Sequence, residues 1–275
     1  MRTLLQISDT HFGTEQAPVV EALVALAKAE RPDLVVLSGD ITQRARPQQF
    51  EAARAFVDRL GAPCLAIPGN HDIPLFDVAA RVFAPYARFS KVFGNNLEPE
   101  HESADLLVLC VNTTRPWRHT DGEVSAAQIE RVAQRLAQAR AEQLRVVVVH
   151  QPIEVLRSED EHDRLHGHAD AQKAWAAAGA DMVMGGHIHL SFAAPLPGLA
   201  REMWVVQAGT AVSSRMRDGQ PNSVNVVRWQ GLSATEGCCI ERWDFAAGGQ
   251  AFERVGRKSL KPSRLPYKPT ALLKS

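Results

Sequence analysis

The sequence predicts an α/β fold, and two regularities of its apolar residues lead to that prediction. Short apolar runs, rich in leucine and β-branched residues, recur along the chain, and such runs are typical of strands buried on both faces. Between the early runs lie longer segments with apolar residues at helical spacing. Alternating strands and helices indicate the α/β class. The last third has strands with few helices between them, which predicts a more antiparallel part of the sheet system.

Nine apolar runs are the predicted strands, because they are too short for helices and are bounded by turn residues. In chain order they are TLLQIS (3–8), DLVVLSG (33–39), APCLAIP (62–68), DLLVLCV (105–111), RVVVV (145–149), DMVMGG (181–186), MWVVQAG (203–209), SVNVVRW (223–229) and GCCIERW (237–243).

Four segments are the predicted helices, and each carries a boundary signal. In the segment 19–32 the helical pattern stops before Pro32. The segments 47–61 and 169–179 end on glycine. The segment 125–143 opens with Ser125, a residue type that caps helix N-termini.

Composition excludes several classes of protein. With 45% hydrophobic residues among 275, the chain can bury a large core in one large domain or two small ones. Lys+Arg and Asp+Glu both number 31, so no overall charge attracts nucleic acid or anionic lipid. Four cysteines without a CxxC pair argue against a disulfide framework and favour a reducing compartment. We found no signal-peptide pattern and no run of about 18 apolar residues, and therefore expect a cytoplasmic protein without a membrane segment.

The C-terminal segment differs in composition from the rest. From Gly256 onward it contains six Lys or Arg, three prolines and no acidic residue. We therefore predict a main domain over residues 1–255 and a basic tail over 256–275, extended on the surface or disordered. A contact arm for a second subunit is the alternative, which leaves a homodimer open.

Metal-binding residue types follow five of the predicted strands directly. They are Asp9, His11, Asp40, Asn70, His71, Asp72, His150, His187 and His189. In open α/β sheets, ligands collect beyond the carboxyl ends of strands, so these residues are expected to meet. Each is unremarkable alone, but the ordered combination predicts a shared site.

Seven of these residues form a candidate ligand set with three oxygen donors and four imidazoles: Asp9, His11, Asp40, Asn70, His150, His187 and His189. Seven ligands are too many for one tetrahedral ion and suit two ions that share a carboxylate. Nitrogen and oxygen donors without thiolate favour Mn, Fe or Zn over Ca or Mg. Two divalent ions, two carboxylates and a bridging hydroxide leave a charge of about +1, which would attract an anion such as a phosphate ester.

The five blocks D-x-H, G-D, G-N-H-[DE], H and G-H-x-H occur in order across residues 9–189. This set resembles the signature of the calcineurin-like metallophosphoesterase superfamily. The segment 112–136 resembles the bacterial class III cyclic-nucleotide phosphodiesterase branch, with Asn112 where an Asp is common, and the segment 207–229 resembles the closing strands of related bacterial phosphoesterases.

The resemblance implies a four-layer α/β/β/α sandwich, in which a double β-sheet is flanked by helices. It also implies that one ion is held by Asp9, His11 and His189, that the other is held by Asn70, His150 and His187, and that Asp40 bridges them.

The remaining residues of the signature are implied to serve the reaction. His71 would face the substrate and stabilise the transition state or protonate the leaving oxygen, and Asp72 would orient His71. Outside the signature, Arg115 is a candidate contact to the substrate phosphate, with a surface arginine as the alternative, and His119 is a candidate for the pocket of the base or leaving group, with a loop residue of no function as the alternative. Arg215 and Arg217 would either contact an anion from the opposite rim or form a salt-bridged surface turn.

The resulting functional expectation is a phosphodiesterase in which a metal-bound hydroxide attacks phosphorus in line. A small phosphate ester is the expected substrate, and 3′,5′-cyclic nucleotides are the expected class of ester. A phosphomonoesterase or broad-specificity phosphohydrolase, a nuclease and a non-catalytic scaffold remain as alternatives. The zero net charge counts against the nuclease, and the complete ligand set counts against the scaffold.

Overall fold

Two six-stranded β-sheets lie face to face between layers of helices. The computed structural model describes residues 1–235, 237–246 and 248–264. Within them, no helix has both the length and the apolar character needed to cross a bilayer.

The strands and helices follow the apolar runs of the sequence. The strands are β1 (Arg2–Ile7), β2 (Leu34–Ser38), β3 (Cys64–Ile67), β4 (Glu100–Glu102), β5 (Leu106–Cys110), β6 (Leu144–Val148), β7 (Met182–Gly185), β8 (Phe192–Pro195), β9 (Trp204–Gln207), β10 (Ser223–Trp229), β11 (Cys238–Phe245) and β12 (Phe252–Leu260). The helices are α1 (Ala17–Glu30), α2 (Pro47–Arg59), α3 (Val78–Phe83), α4 (Ala87–Phe93), α5 (Ala126–Ala137) and α6 (His168–Ala178).

Both sheets combine parallel and antiparallel pairing. The first has the order β12-β11-β10-β1-β2-β3, in which β1, β2 and β3 are parallel and β10, β11 and β12 are antiparallel. The second has the order β4-β5-β6-β7-β9-β8, with a parallel centre and an antiparallel strand at each edge. The antiparallel character expected of the last third is therefore seen in β10, β11 and β12.

Each central strand buries both of its faces. In β1, Leu5 and Ile7 pack with the helices of the first sheet, whereas Leu4 packs into the layer between the two sheets. In β6, Val147 packs against the helices of the second sheet, and Val146 and Val148 face the first sheet. Because successive side chains of a strand point to opposite faces, the uninterrupted apolar runs are explained. The predicted four-layer α/β/β/α sandwich is confirmed.

Several elements had no clear sequence signal. The short strands β4 and β8 and the helices α3 and α4 were not predicted. The edge strand β12 was missed because its middle carries exposed charged residues, which is how proteins protect sheet edges. The expected boundary after residue 255 falls inside β12, so residues 256–260 belong to the sheet. Residues 265–275 of the expected basic tail lie outside the described residues.

The carboxyl ends of five strands from both sheets lie at one edge of the sandwich. The loop after β1 runs beside the loop after β2, because the backbone N–H groups of Asp9 and His11 donate to the carbonyls of Gly39 and Asp40 at 3.1 and 3.0 Å. The backbone N–H of His187, after β7, donates to the Asp9 carboxylate at 3.0 Å. The two sheets are thus joined directly at this edge.

Candidate metal centre

The side chains that follow these five strands converge on two adjacent clusters. Asp9, His11 and His189 form one group of donor atoms that all lie within 4.8 Å of one another, and Asp40, His150 and His187 form a second such group. Asn70 joins the second cluster, with Oδ1 3.2 Å from His150 Nε2. Asp40 lies between the clusters, because its Oδ2 is 3.8 Å from His11 Nε2 and its Oδ1 is 3.3 Å from His150 Nε2.

In the first cluster, hydrogen bonds set which imidazole nitrogen faces the centre. The Nδ1 of His189 donates to the carbonyl oxygen of Arg215 at 2.7 Å, so its Nε2 presents a lone pair to the centre. That Nε2 lies 3.2 Å from His11 Nε2 and 3.3 Å from Asp9 Oδ1. The side chains of Asp9 and His11 are completely buried.

In the second cluster, a hydrogen bond likewise sets which nitrogen of His150 faces the centre. His150 Nδ1 donates to the carbonyl of Ser38 at 2.9 Å, which directs Nε2 toward Asn70 and Asp40. The Nε2 of His187 lies 3.4 Å from Oδ1 of Asp163, a carboxylate on the 3₁₀ turn after β6.

These groups fit two metal ions. Lone pairs of nitrogen and oxygen converge in each cluster, and such an arrangement is repulsive unless a cation or a proton lies between them. The Nδ1 atoms of His11 and His187 are buried and have no hydrogen-bond partner among the described residues. Asp40 faces both clusters, and the absence of thiolate from them agrees with the predicted nitrogen and oxygen donor set.

Backbone strain is concentrated at the same residues. Five of the seven predicted ligands have left-handed backbone conformations: Asp9 (φ 51°), His11 (φ 42°), Asp40 (φ 47°), His187 (φ 76°) and His189 (φ 55°). Asp and His adopt this region more readily than most residues, but each instance costs roughly 1–3 kcal/mol. Such strain persists where the surroundings enforce it, and it is typical of functional sites.

Two glycines allow the strand ends to approach closely. A Cβ on Gly69 would collide with the backbone and carboxylate of Asp40, and a Cβ on Gly186 would lie 2.6 Å from Oδ2 of Asp9. Larger residues at these positions would therefore displace two candidate ligands.

Electrostatics in the metal-free centre favour ionised carboxylates. Burial raises the pKa of Asp9, but the hydrogen bond and charge of His189 together with the charge of His150 outweigh it, and the pKa is lowered to about 2. Burial also acts against Asp40, yet His150 and its neighbours hold the pKa of that carboxyl well below its usual range. Burial lowers the pKa of His11 to about 3. Burial opposes protonation of His150 too, but the Asp40 carboxylate prevails and raises its pKa to about 9.

This arrangement predicts that metal binding releases a proton from His150. Below pH 9 the metal-free protein holds that proton, whereas a metal-bound imidazole is neutral. Metal affinity should therefore rise about tenfold per pH unit between pH 6 and 8 and level off above about pH 9. Titration calorimetry with Mn²⁺ at pH 7, in two buffers of different ionisation enthalpy, measures the released protons. Identical heats in the two buffers would contradict the prediction.

His71 borders the centre, and its donor atom lies within 4.8 Å of donor atoms of His11 and Asp40. Its ring lies 4.9 Å from the His11 ring, its backbone N–H donates to Asp40 Oδ1 at 2.8 Å, and its Nδ1 lies 3.0 Å from the carbonyl oxygen of Gln43. The Nε2 atom meets Nη1 of Arg215 at 3.0 Å. The ring is thus placed beside the two clusters with Nε2 in the cleft.

Asp72 does not hydrogen-bond the His71 ring. Its buried carboxylate accepts from the backbone N–H groups of Ile41, Thr42 and Gly69 at 3.0, 2.8 and 2.9 Å, and from the Thr42 hydroxyl at 2.8 Å. It therefore ties the loop after β2 to the turn that carries His71, and Gln43 holds the ring in the way expected of Asp72.

The two predicted substrate contacts have different positions. The guanidinium of Arg115 donates to the carbonyls of Asn112 and Thr114 and to the Gln128 side chain, so it supports its own loop. His119 lines a small cavity beside the centre together with His71.

Three cleft residues lacked a decisive sequence signal. Asp163 lies in a charged stretch that resembles a solvated loop, and Gln43 follows the G-D block without a distinctive pattern. Arg215 enters the cleft, whereas Arg217, two residues later, pairs with Asp160 at 2.8 Å and with Glu159. Arg217 therefore forms the expected salt-bridged turn, whereas the anion contact expected of Arg215 stays a prediction.

Comparison with known proteins agrees with this geometry. The chain is 29% identical over 161 residues to a probable cyclic nucleotide phosphodiesterase of Synechococcus sp., a match that covers 54% of this chain and 58% of that protein. It is 26% identical over 217 residues to a cAMP/cGMP dual specificity phosphodiesterase of Mycobacterium tuberculosis, a match that covers 71% of this chain and 64% of that protein. The chain thus spans less than two thirds of the length of each relative.

A solved structure supports the fold. The crystal structure of a dimetal phosphatase from Danio rerio superposes with a TM-score of 0.65 at 12% identity, and the match covers 95% of this chain and 99% of that one. The sequence model of the calcineurin-like phosphoesterases matches residues 2–191, the stretch that contains all seven predicted ligands. The chain therefore belongs to the calcineurin-like phosphoesterase family.

Proposed function

We propose that the protein is a metal-dependent phosphodiesterase whose preferred substrates are 3′,5′-cyclic nucleotides. The observation that carries the proposal is the pair of donor clusters that share Asp40, with His71 at their edge. The names of the two cyclic nucleotide phosphodiesterases that the chain resembles support the choice of substrate.

The donor set suits two ions chosen from Mn, Fe and Zn. Asp9, His11 and His189 would hold one ion, and Asp40 would contact both. The second ion would be held by Asn70, His150 and His187. Two bound ions supply charge for the phosphoryl oxygens and activate a water as nucleophile.

The chain itself supplies the group that meets the leaving oxygen. The Gln43 carbonyl engages Nδ1 of His71, so Nε2 is the ring atom available in the cleft. We infer that this nitrogen, once it has bound a proton from water, protonates the leaving oxygen or stabilises its developing charge, which is the ordinary work of an active-site histidine.

A substrate panel tests the proposal. The protein, supplemented with Mn²⁺, is offered cAMP, bis-p-nitrophenyl phosphate, p-nitrophenyl phosphate and single-stranded DNA under identical conditions. Hydrolysis of cAMP and of the diester in preference to the monoester is expected, and metal removal by a chelator should abolish it. A preference for p-nitrophenyl phosphate would instead indicate a phosphomonoesterase. Cleavage of DNA alone would indicate a nuclease, and no turnover by fully metallated protein would indicate a scaffold.

A further inference from the structure

The loop after β9 directs one arginine into the metal cleft. The carbonyl oxygen of Arg215 accepts from Nδ1 of His189 at 2.7 Å and from the Thr210 hydroxyl at 3.1 Å. Its backbone N–H donates to the Ser213 hydroxyl at 2.9 Å, and that hydroxyl also contacts the Thr14 hydroxyl at 2.8 Å. The backbone of Arg215 is thus fixed on both sides of its Cα, close to a candidate metal ligand.

The side chain of Arg215 reaches across the cleft toward the opposite wall. Its Nη1 lies 3.1 Å from Gln43 Oε1 and 3.0 Å from His71 Nε2. Arg215 lines the same cleft as Asp40, Asn70 and His187. The guanidinium therefore stands beside the residue proposed to meet the leaving oxygen, in the cleft that the candidate ligands line.

The guanidinium of Arg215 makes no ion pair with any of the residues that the structure describes. Within the described ranges, no carboxylate oxygen lies within the 4.0 Å ion-pair distance of its guanidinium. By contrast, Arg217, which lines the same cleft, is paired with Asp160 and Glu159. A half-buried cation without a carboxylate partner in the described part of the chain is suited to bind an anion that arrives from solution.

We propose that Arg215 binds a non-bridging oxygen of the substrate phosphoryl group. The planar guanidinium matches phosphate oxygens with two parallel N–H groups, and Oε1 of Gln43 and Nε2 of His71 hold it in position in the free protein. When phosphate enters, the guanidinium exchanges its contact with His71 for the phosphoryl oxygen. This exchange leaves Nε2 of His71 free to bind a proton from water and to face the leaving oxygen. The proposal deepens the proposed function and rests on it for the reaction, but not for phosphate binding.

The backbone and the side chain of Arg215 have separate roles: the carbonyl oxygen orients His189, and the guanidinium would bind phosphate. Any substitution at position 215 keeps the carbonyl oxygen that orients His189, so metal binding should persist when the guanidinium is removed. A purely structural arginine would not show this separation between metal binding and anion binding.

The test compares Arg215→Gln and Arg215→Lys with the matched control Arg217→Gln. Metal content is measured by elemental analysis, and binding of inorganic phosphate to the Mn²⁺-loaded protein is measured by calorimetry. We expect Arg215→Gln to retain both ions and to bind phosphate roughly 10- to 100-fold more weakly, since it loses charge-assisted hydrogen bonds. Arg215→Lys should recover part of that affinity because it restores the charge. Arg217→Gln should stay close to the wild-type protein, because carboxylates already neutralise Arg217.

Three results would overturn the assignment. They are unchanged phosphate affinity in a fully metallated Arg215→Gln protein, an equal loss in Arg217→Gln, and loss of metal from Arg215→Gln. Turnover of bis-p-nitrophenyl phosphate is the second readout, and kcat/KM should fall by at least the factor seen for phosphate binding. If the wild-type protein hydrolyses nothing, the proposed function fails while the phosphate measurement still decides the role of Arg215.

Discussion

Replacement of Asp40 with alanine is expected to remove both metal binding and activity. Asp40 lies between the clusters, with its two oxygens directed to His11 and His150. Loss of groups that merely orient metal ligands costs about 10–100-fold in metal affinity, so loss of the shared carboxylate should exceed about 100-fold. Elemental analysis after dialysis, together with hydrolysis of bis-p-nitrophenyl phosphate, measures both effects.

Asp40 also has a local structural role, which the experiment must separate from ligation. It accepts a hydrogen bond from the His71 backbone, so alanine could disturb the loop. Asp40→Asn keeps the shape and one oxygen but removes the charge, and it should also lose metal while its circular dichroism stays native. The control for a change of net charge is Asp58→Asn, because Asp58 is an exposed carboxylate on α2 that pairs only with Arg54 among the ion pairs of the described residues. Unchanged metal content in a folded Asp40→Asn protein would argue against a bridging carboxylate.

Replacement of His71 with alanine is expected to spare the metals and reduce kcat. In the part of the chain that the structure describes, the ring nitrogens of His71 hydrogen-bond Gln43 and Arg215 and none of the seven predicted ligands. Loss of an acid–base group typically costs about 10²–10⁴-fold in rate, so a decrease of that size is expected in kcat for cAMP. Metal analysis and steady-state kinetics on the same preparation separate the two effects.

The His71 experiment needs a second substrate to identify the role. p-Nitrophenolate is a much better leaving group than an alkoxide and needs less protonation. The loss for bis-p-nitrophenyl phosphate should therefore be smaller than the loss for cAMP. His101→Ala, on the edge strand β4, is the control histidine. Normal turnover of cAMP by the His71→Ala protein would remove this residue from the mechanism.

The candidate ligands could be identified from the sequence because the signal is local. A buried strand that ends on Asp, Asn or His is visible in a few residues, and five such endings in order define the set. The parallel arrangement of β1, β2 and β3, and of β6 and β7, then brings those ends to one edge.

Residues that act through distant neighbours were not distinguishable in this way. Arg115 and Arg215 both follow predicted strands, and the sequence does not show a partner for either charge. Only the folded loops show that the guanidinium of Arg115 donates to the Asn112 carbonyl in its own loop. The guanidinium of Arg215 instead reaches Nε2 of His71 across the cleft. The contacts of Asp72 likewise depend on the path of the loop after β2, which the sequence does not specify.

By itself, the sequence determined the α/β class, most of the strands and the candidate set of metal ligands, because periodicity and strand endings are properties of neighbouring residues. Only the tertiary structure decided which nitrogen of His150 faces the centre, and that the Arg215 side chain reaches His71 and has no carboxylate partner among the described residues. These features depend on hydrogen bonds between segments more than 100 residues apart, such as His150 with Ser38 and Arg215 with His71. Spacing along the chain carries no information about such partners, because loop closure brings them together only when both sheets have packed.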